Sequence, residues 1–575
     1  MFYSISGKKI RIEKDCSFVL PAKTSVKFMI DEGGHWFGHG FAHRQPYPLE
    51  TESVVNESFA VNNTQSPIWL CSKGFAIFAE TNSRLSVKFN DGNNRIFELT
   101  PLAGDVNIHI FAGATLPEAH SKLMRHLKWP GNVPSRKLIG DSIFCTWTQF
   151  PRCISQERIL QTAREIREND FPCTVITLDD KWESVPGDLE FCRDFPDPRG
   201  MISKLHKMKF KVLLWVTPFI NNSSRNFAFL QSQKLLVMKK SGGGAALFKW
   251  WGGTAGLVDL TKPEAKKWYR DSLVSLQEKY GVDGFKIDGG DAKYQPDIGE
   301  AEWSEYKGAS GFNDLLLSVF EKICPGFCET RTAWISQKRE IVWRQGGKDS
   351  HWGIDNGLKA LLSYGLHASV MGYDISMPDM IPGRIQTMSI NDPIPTDELF
   401  IRWTEVSAFF ASMQFSYFPW NYSKEVSDTA RAYAKLHRSI AGYIMSESEN
   451  RTEPLLRPLW FESQAEKFFT VSDEFMLGKD LLVCPVLSEK QECRDVILPP
   501  GKWIDAWTGR TYLGGLIKSH AAPCPGIPLF VRAENKALGE KLYSRLRNIN
   551  RGFIRSGTCS ATYSCGVNRA LEVTG

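Results

Sequence analysis

The 575-residue sequence has no run approaching the roughly 18 uninterrupted apolar residues that a membrane-spanning helix needs. Its charges form no blocks: 70 Lys and Arg face 64 Asp and Glu, a formal net charge of +6 spread along the chain, which gives nucleic-acid binding no support. No Gly-rich dinucleotide fingerprint, no phosphate-cradling loop and no paired CxxC spacing is present. The first thirty residues, with Lys8, Lys9, Arg11, Glu13 and Lys14 scattered early, lack the apolar core of a signal peptide. Against a cytosolic reading stand glycosylation sequons at Asn56, Asn62, Asn222, Asn421 and Asn450, so the compartment stays open. The 13 cysteines are an odd number, which leaves at least one thiol free unless it pairs with another chain.

Aromatic residues, by contrast, are plentiful: 36 Phe and 18 Trp in a chain that is 42% hydrophobic and 23% charged. Flat faces of this kind build large cores and also stack on the apolar faces of sugar rings. The chain is longer than one hydrophobic core usually serves. Residues 1–135 read as short strands broken by turn signals, among them Ser25 to Ile30, Gly74 to Ala79, Leu85 to Phe89 and Val106 to Phe111; the pattern predicts a β-sandwich.

Over 136–445 the texture becomes strands alternating with amphipathic stretches, and the spacing predicts helices over 155–169, 201–208 and 263–280. Repeated βα units predict an α/β fold, a (β/α)8 TIM barrel. A smaller C-terminal β-domain is expected over 446–535. It should contain strands at Phe468 to Val471, Asp480 to Val486 and Asp495 to Leu498, with Pro499-Pro-Gly501 as a turn, and 536–575 reads as an irregular tail.

The barrel strands end in polar or aromatic residues: Trp147, Asp179 and Asp180, Trp215, Asp288 and Arg344. In a barrel such ends converge on one mouth. The sharpest is Gly284-Phe-Lys-Ile-Asp-Gly-Gly-Asp291, a short apolar run that stops at a carboxylate followed by two turn-forming glycines. A second carboxylate, Asp355, lies among aromatic and glycine neighbours. Two carboxylates held apart on separate strand ends are the minimum equipment for glycoside hydrolysis, with one as nucleophile and one as proton donor and acceptor where configuration is retained. Lys286, two residues before Asp288 on the same strand face, is expected to keep it ionised. Asp355 beside Trp352 is expected to have a raised pKa if its pocket is apolar.

The stretch Asp349 to Lys359, the run Gly372-Tyr-Asp-Ile-Ser-Met-Pro-Asp-Met380 and the segment Leu399 to Glu405 resemble glycoside hydrolase family 31, and more narrowly its myogenesis-regulating branch. Asp194 to Pro198, Leu214 to Phe219, Met413 to Trp420, Leu456 to Trp460 and Leu477 to Val486 match in the same order, so the resemblance covers about residues 30 to 510. It implies a retaining α-glycosidase without metal or organic cofactor, with Asp288 as nucleophile and Asp355 as acid/base. Trp147, Asp179, Asp180, Trp215, Lys286, Arg344 and Asp374 would line the sugar subsite, with Asp291 supporting. The branch favours α-galactosides over α-glucosides, and Asp179, Asp180 and Trp182 are the candidates for the partner of the axial 4-hydroxyl. Ile354 stands where the family usually has Gly, and the glycines common after the position of Asp374 are absent. The expected partner is an α-linked oligosaccharide or glycoconjugate, with no nucleic acid, no membrane span in this chain and room for a homodimer. The branch leans to the secretory pathway if an upstream segment is missing.

Overall fold

The computed structural model describes residues 2–5, 7–30, 34–40, 44, 46–59, 63–151, 153–296, 300–384 and 394–556. The N-terminal region is a sandwich of a six-stranded and a five-stranded antiparallel sheet. Alternation decides which faces meet: in Val26–Met29 the first and third residues are buried and the others exposed. Val26, Phe28, Phe89 and Phe97 of one sheet share a core with Trp36, Trp69, Ile77 and Ile108 of the other. The helix Leu116–His126 then carries the chain towards the barrel. Thr115 caps it, accepting from Glu118 N at 3.3 Å, while Glu118 Oε2 accepts from Ala114 N at 2.9 Å; this reciprocal box satisfies two otherwise orphaned donors.

The barrel strands are β1 (Ser142–Cys145), β2 (Cys173–Leu178), β3 (Lys211–Val216), β4 (Gly284–Ile287), β5 (Cys328–Thr330), β6 (Val342–Arg344), β7 in two pieces (Ser376–Met377 and Met380–Ile381) and β8 (Met413–Phe415). All pairings are parallel. The first piece of β7 pairs with β6 and the second with β8, so the ring closes through the break at Pro378 and Asp379. The expected TIM barrel is the fold. Its strands are buried but for Thr174 and Lys211 near the start of β2 and β3, as a parallel sheet covered by helices requires. Helices Gln156–Glu168, Pro198–Lys207 and Pro263–Tyr280 lie where the amphipathic spacing predicts them.

The C-terminal β-domain is a six-stranded sheet. Three expectations there are corrected. Phe468 to Val471 is not a strand: Glu466–Phe468 is a 3-10 turn, which short aromatic runs tolerate as readily as a strand. Pro499-Pro-Gly501 does not end a strand either. Cys493–Asp505 runs through it with a register shift between Leu498 and Lys502, a bulge in which prolines without an N–H cost no ladder bond. The tail is not irregular over its described part, because Lys536–Ser556 is a helix. Leu538, Leu542, Leu546 and Ile549 recur at helical spacing and are buried, and this periodicity is present in the sequence. Residues 557–575 lie outside the described residues. Among the described residues no helix is long and apolar enough to cross a membrane, and no disulfide joins two described cysteines.

Candidate active site

Asp288 follows β4 directly, at the C-terminal end of the barrel. Gly289 and Gly290 turn the chain away with φ of 71° and 75°, and a Cβ on Gly289 would sit 2.8 Å from Thr217 Oγ1 and 2.9 Å from the Phe219 ring, so only glycine fits. Asp288 Oδ2 accepts from the Trp215 indole at 2.9 Å, and Oδ1 accepts from Gly289 N at 2.9 Å and from Arg331 Nε. Arg331, just past β5, also forks onto Asp291, at 2.9 Å and 3.2 Å. Burial pushes the Asp288 carboxyl up, but the Arg331 and Arg344 guanidinium charges and the bonds from Trp215 and Arg331 hold it well below the usual carboxylate range.

The electrostatic partner of Asp288 is therefore Arg331, not Lys286. Lys286 Nζ is paired with Asp179 Oδ2 at 2.7 Å and lies 3.4 Å from the Cys145 thiol and 3.9 Å from Glu329. The inward face of β4 points Lys286 at the end of β2, while the sharp turn at Gly289 brings Asp288 round to β5. Arg331 escaped the sequence reading because β5 is only three residues long and carries no periodic signal.

Arg344 closes this buried charge network. Its Nη1 donates to Asp379 Oδ1 at 3.0 Å and its Nε lies 3.3 Å from Glu329 Oε1. Burial pushes the Glu329 carboxyl up, against the pull of Lys286 and Arg344. Besides Arg344 Nε and Glu329 Oε1, which face each other as charges, Arg344 Nη2, Asp379 Oδ2 and Gln414 Oε1 are buried here without a hydrogen-bond partner among the described residues. Buried polar atoms are normally satisfied, so a ligand with hydroxyl groups suits these three. Asp179 also accepts from Asp180 N at 2.9 Å. Asp180 is buried beside Lys181, and burial pushes its carboxyl up despite that neighbour. Trp147 is half-buried two residues beyond β1. Trp215 stacks on Trp250 with centroids 6.3 Å apart.

Two sequence-predicted site residues lie elsewhere. Asp374 precedes β7 and so belongs to the opposite end of the barrel, where it pairs with Arg451 at 3.0 Å and accepts from Leu455 N at 3.0 Å and the Trp129 indole at 3.4 Å. Asp379, after the first piece of β7, occupies the mouth in its place. Trp182 is fully buried, and its indole donates to the Trp215 carbonyl at 2.8 Å, leaving no donor for a sugar. A strand break of two residues and an indole turned inward leave no mark in a sequence pattern.

Asp355 stands on the loop between β6 and the helix Leu358–Val370. Its side chain is 68% exposed, 3.9 Å from His351 Nδ1, so the apolar pocket expected around it is not formed. Next to it Asn356 has φ 126°, a strained value for a residue with a side chain, held by bonds from its amide to Gly347 O at 3.0 Å and Asp349 Oδ2 at 2.8 Å.

A barrel whose strand ends gather carboxylates, cations and indoles in this way matches a known domain: residues 139–447 fit the glycosyl hydrolases family 31 TIM-barrel domain, and 452–535 the C-terminal domain of that family. The chain belongs to glycoside hydrolase family 31. Residues 17–110 match the N-terminal domain of myogenesis-regulating glycosidase. The mouse protein of that name is 31% identical over 85% of this chain and 72% of its own length. The α-xylosidase XylQ of Lactiplantibacillus pentosus is 24% identical over 78% of this chain, which spans 59% of XylQ. Among solved structures, a family 31 sulfoquinovosidase from E. rectale superposes with a TM-score of 0.79 at 19% identity, covering 93% of this chain and 88% of that one.

Proposed function

We propose that the protein is an exo-acting α-glycosidase that retains anomeric configuration, with Asp288 as nucleophile and Asp355 as acid/base, and α-galactosides as its preferred substrates. The observation that carries this reading is Asp288: a buried carboxylate at a barrel strand end, kept ionised and fixed in direction by Arg331 and the Trp215 indole. Attack by Asp288 on the anomeric carbon forms a glycosyl ester and breaks the bond to the leaving oxygen, which takes its proton from Asp355. Water, deprotonated by the same Asp355, then hydrolyses the ester. Arg344, Asp379 and Gln414 keep hydrogen-bonding capacity for the hydroxyls of the released sugar. Asp179 and Asp180 remain as candidate partners of the 4-hydroxyl, now without Trp182.

The preference for galactose rests on the branch resemblance. α-Glucosidase is the alternative within the family, and the relatives named above for xylosides and sulfoquinovosides widen the panel to be tried. Turnover of nitrophenyl α-galactoside, α-glucoside and α-xyloside by purified protein tests it, with the first-formed anomer read by proton NMR. Clear preference for another sugar overturns the galactose assignment, and a β-configured first product overturns retention. A second reading, a glycan-binding protein without turnover, is favoured by the exposure of Asp355; measurable hydrolysis of any of the three substrates, lost in Asp288→Asn, excludes it.

A further inference from the structure

A cluster far from the barrel mouth in sequence bears on the N-terminal sandwich. Glu80 ends the strand Phe75–Glu80, His109 lies on the neighbouring strand Val106–Ala112, and His126 is the last residue of the helix Leu116–His126 packed on them. Asn107 pairs with Glu80 and Phe78 with His109, so Glu80 and His109 are diagonal neighbours on one sheet face. His109 Nε2 is 3.2 Å from Glu80 Oε2, and the two imidazole rings have centroids 4.7 Å apart. One ligand atom from each of the three residues lies within 4.8 Å of the other two.

We propose that Glu80, His109 and His126 bind a zinc ion that clamps the end of this helix to the sandwich. Two imidazoles and a carboxylate are a common three-ligand zinc set, with water in the fourth position. Ligand atoms around tetrahedral zinc stand about 3.3 Å apart, from bond lengths of about 2.0 Å. The shift needed from the present spacing is small, and the exposed side chains of Glu80 and His126 are free to make it.

Three further observations favour a cation here. Ser17, paired with His109 across the sheet, has its hydroxyl 2.9 Å from His109 Nδ1, which fixes the ring and directs Nε2 at Glu80; metal-bound histidines usually have such a partner on the other nitrogen. The site adjoins a helix C-terminus, where the backbone dipole favours positive charge. Phe78 and Phe111 flank His126 at 5.8 Å and 5.4 Å and hold its ring beside that of His109. The role is structural, since none of these residues belongs to the barrel mouth.

The full chain, freed of metal by chelator, is titrated with Zn2+ by calorimetry and with Co2+ by absorption. Because 13 cysteines are also potential ligands, the cobalt spectrum must distinguish sources: one equivalent with tetrahedral d–d bands and no thiolate charge-transfer band supports the site. The double variant His109→Gln/His126→Gln should lose that equivalent while keeping glycoside turnover, and Ser17→Ala should weaken binding about tenfold or more through ring orientation. Equal stoichiometry in wild type and double variant, binding only with a thiolate band, or no binding at millimolar metal overturns the proposal. If the double variant fails to fold, the wild-type cobalt spectrum alone decides.

Discussion

Asp288 and Asp355 stand at the same end of the barrel in opposite settings. Asp288 is buried on a strand end, with its two oxygens engaged by an indole, a backbone amide and a guanidinium. Asp355 sits on a loop with most of its side chain in water and His351 Nδ1 3.9 Å away. A nucleophile must be ionised and aimed before substrate arrives, so fixed donors around it lower the cost of reaching the transition state. A proton donor instead gains from exclusion of water by the substrate itself, which raises the pKa of a carboxylic acid at the moment it is needed. On this view the Asp288 side is built by the fold, and the Asp355 side is completed on binding.

The largest expected effect breaks the contrast on its rigid side. Asp288→Asn keeps the shape and removes the carboxylate proposed as nucleophile, so turnover of nitrophenyl α-galactoside should fall on the order of 10⁴-fold or more with circular dichroism unchanged. A variant within tenfold of wild type would falsify the assignment. Asp355→Asn should cost about 10²–10⁴-fold on alkyl galactosides, whose leaving oxygen needs a proton. The first step should be nearly unimpaired on dinitrophenyl galactoside, whose leaving group needs none. Equal losses on both substrates would remove the proton-donor role.

Arg331→Gln sharpens the comparison by pH. The guanidinium depresses the pKa of Asp288, so its removal raises that pKa, and the acid limb of kcat/KM should move up by about 1–3 pH units. The loss is then greatest at low pH and shrinks as pH rises. A uniform loss across the profile would mean that Arg331 only holds the loop. The same linkage applies to stability: the contribution of Asp288 is present above its unfolded-state pKa and is lost as pH falls towards the depressed folded value, so Arg331→Gln should bring acid denaturation to higher pH.

The barrel was legible because alternating strands and amphipathic helices carry periodic signals, and Pro263–Tyr280 falls where the spacing puts it. Asp288 was legible because a strand and two glycines frame it. The network behind it was not. Arg331 follows, Glu329 lies within and Asp379 interrupts strands of two or three residues, too short for periodicity, and what they touch depends on strands distant in sequence. The terminal helix is legible too: its apolar spacing is in the sequence, among residues that also look like tail.

Asp374 and Asp379 flank the first piece of β7 and provide the finest test, because they are five residues apart at opposite ends of the barrel. Asp379 accepts from Arg344 and has one oxygen unpartnered, so Asp379→Asn should raise KM for nitrophenyl α-galactoside; its stability loss should be smaller than that of Asp374→Asn, because Glu329 still faces the Arg344 charge. Asp374 is tied to Arg451, Leu455 and Trp129 where the barrel meets the C-terminal sheet. Asp374→Asn leaves the Arg451 charge buried without its counterion, which costs about 3–5 kcal/mol, while KM and kcat of the folded fraction should stay within about twofold of wild type. Denaturant melts read alongside initial rates separate the two. If Asp374→Asn instead raises KM at unchanged stability, the sugar subsite includes Asp374 after all, and Asp379 returns to being the spacer between the two pieces of β7.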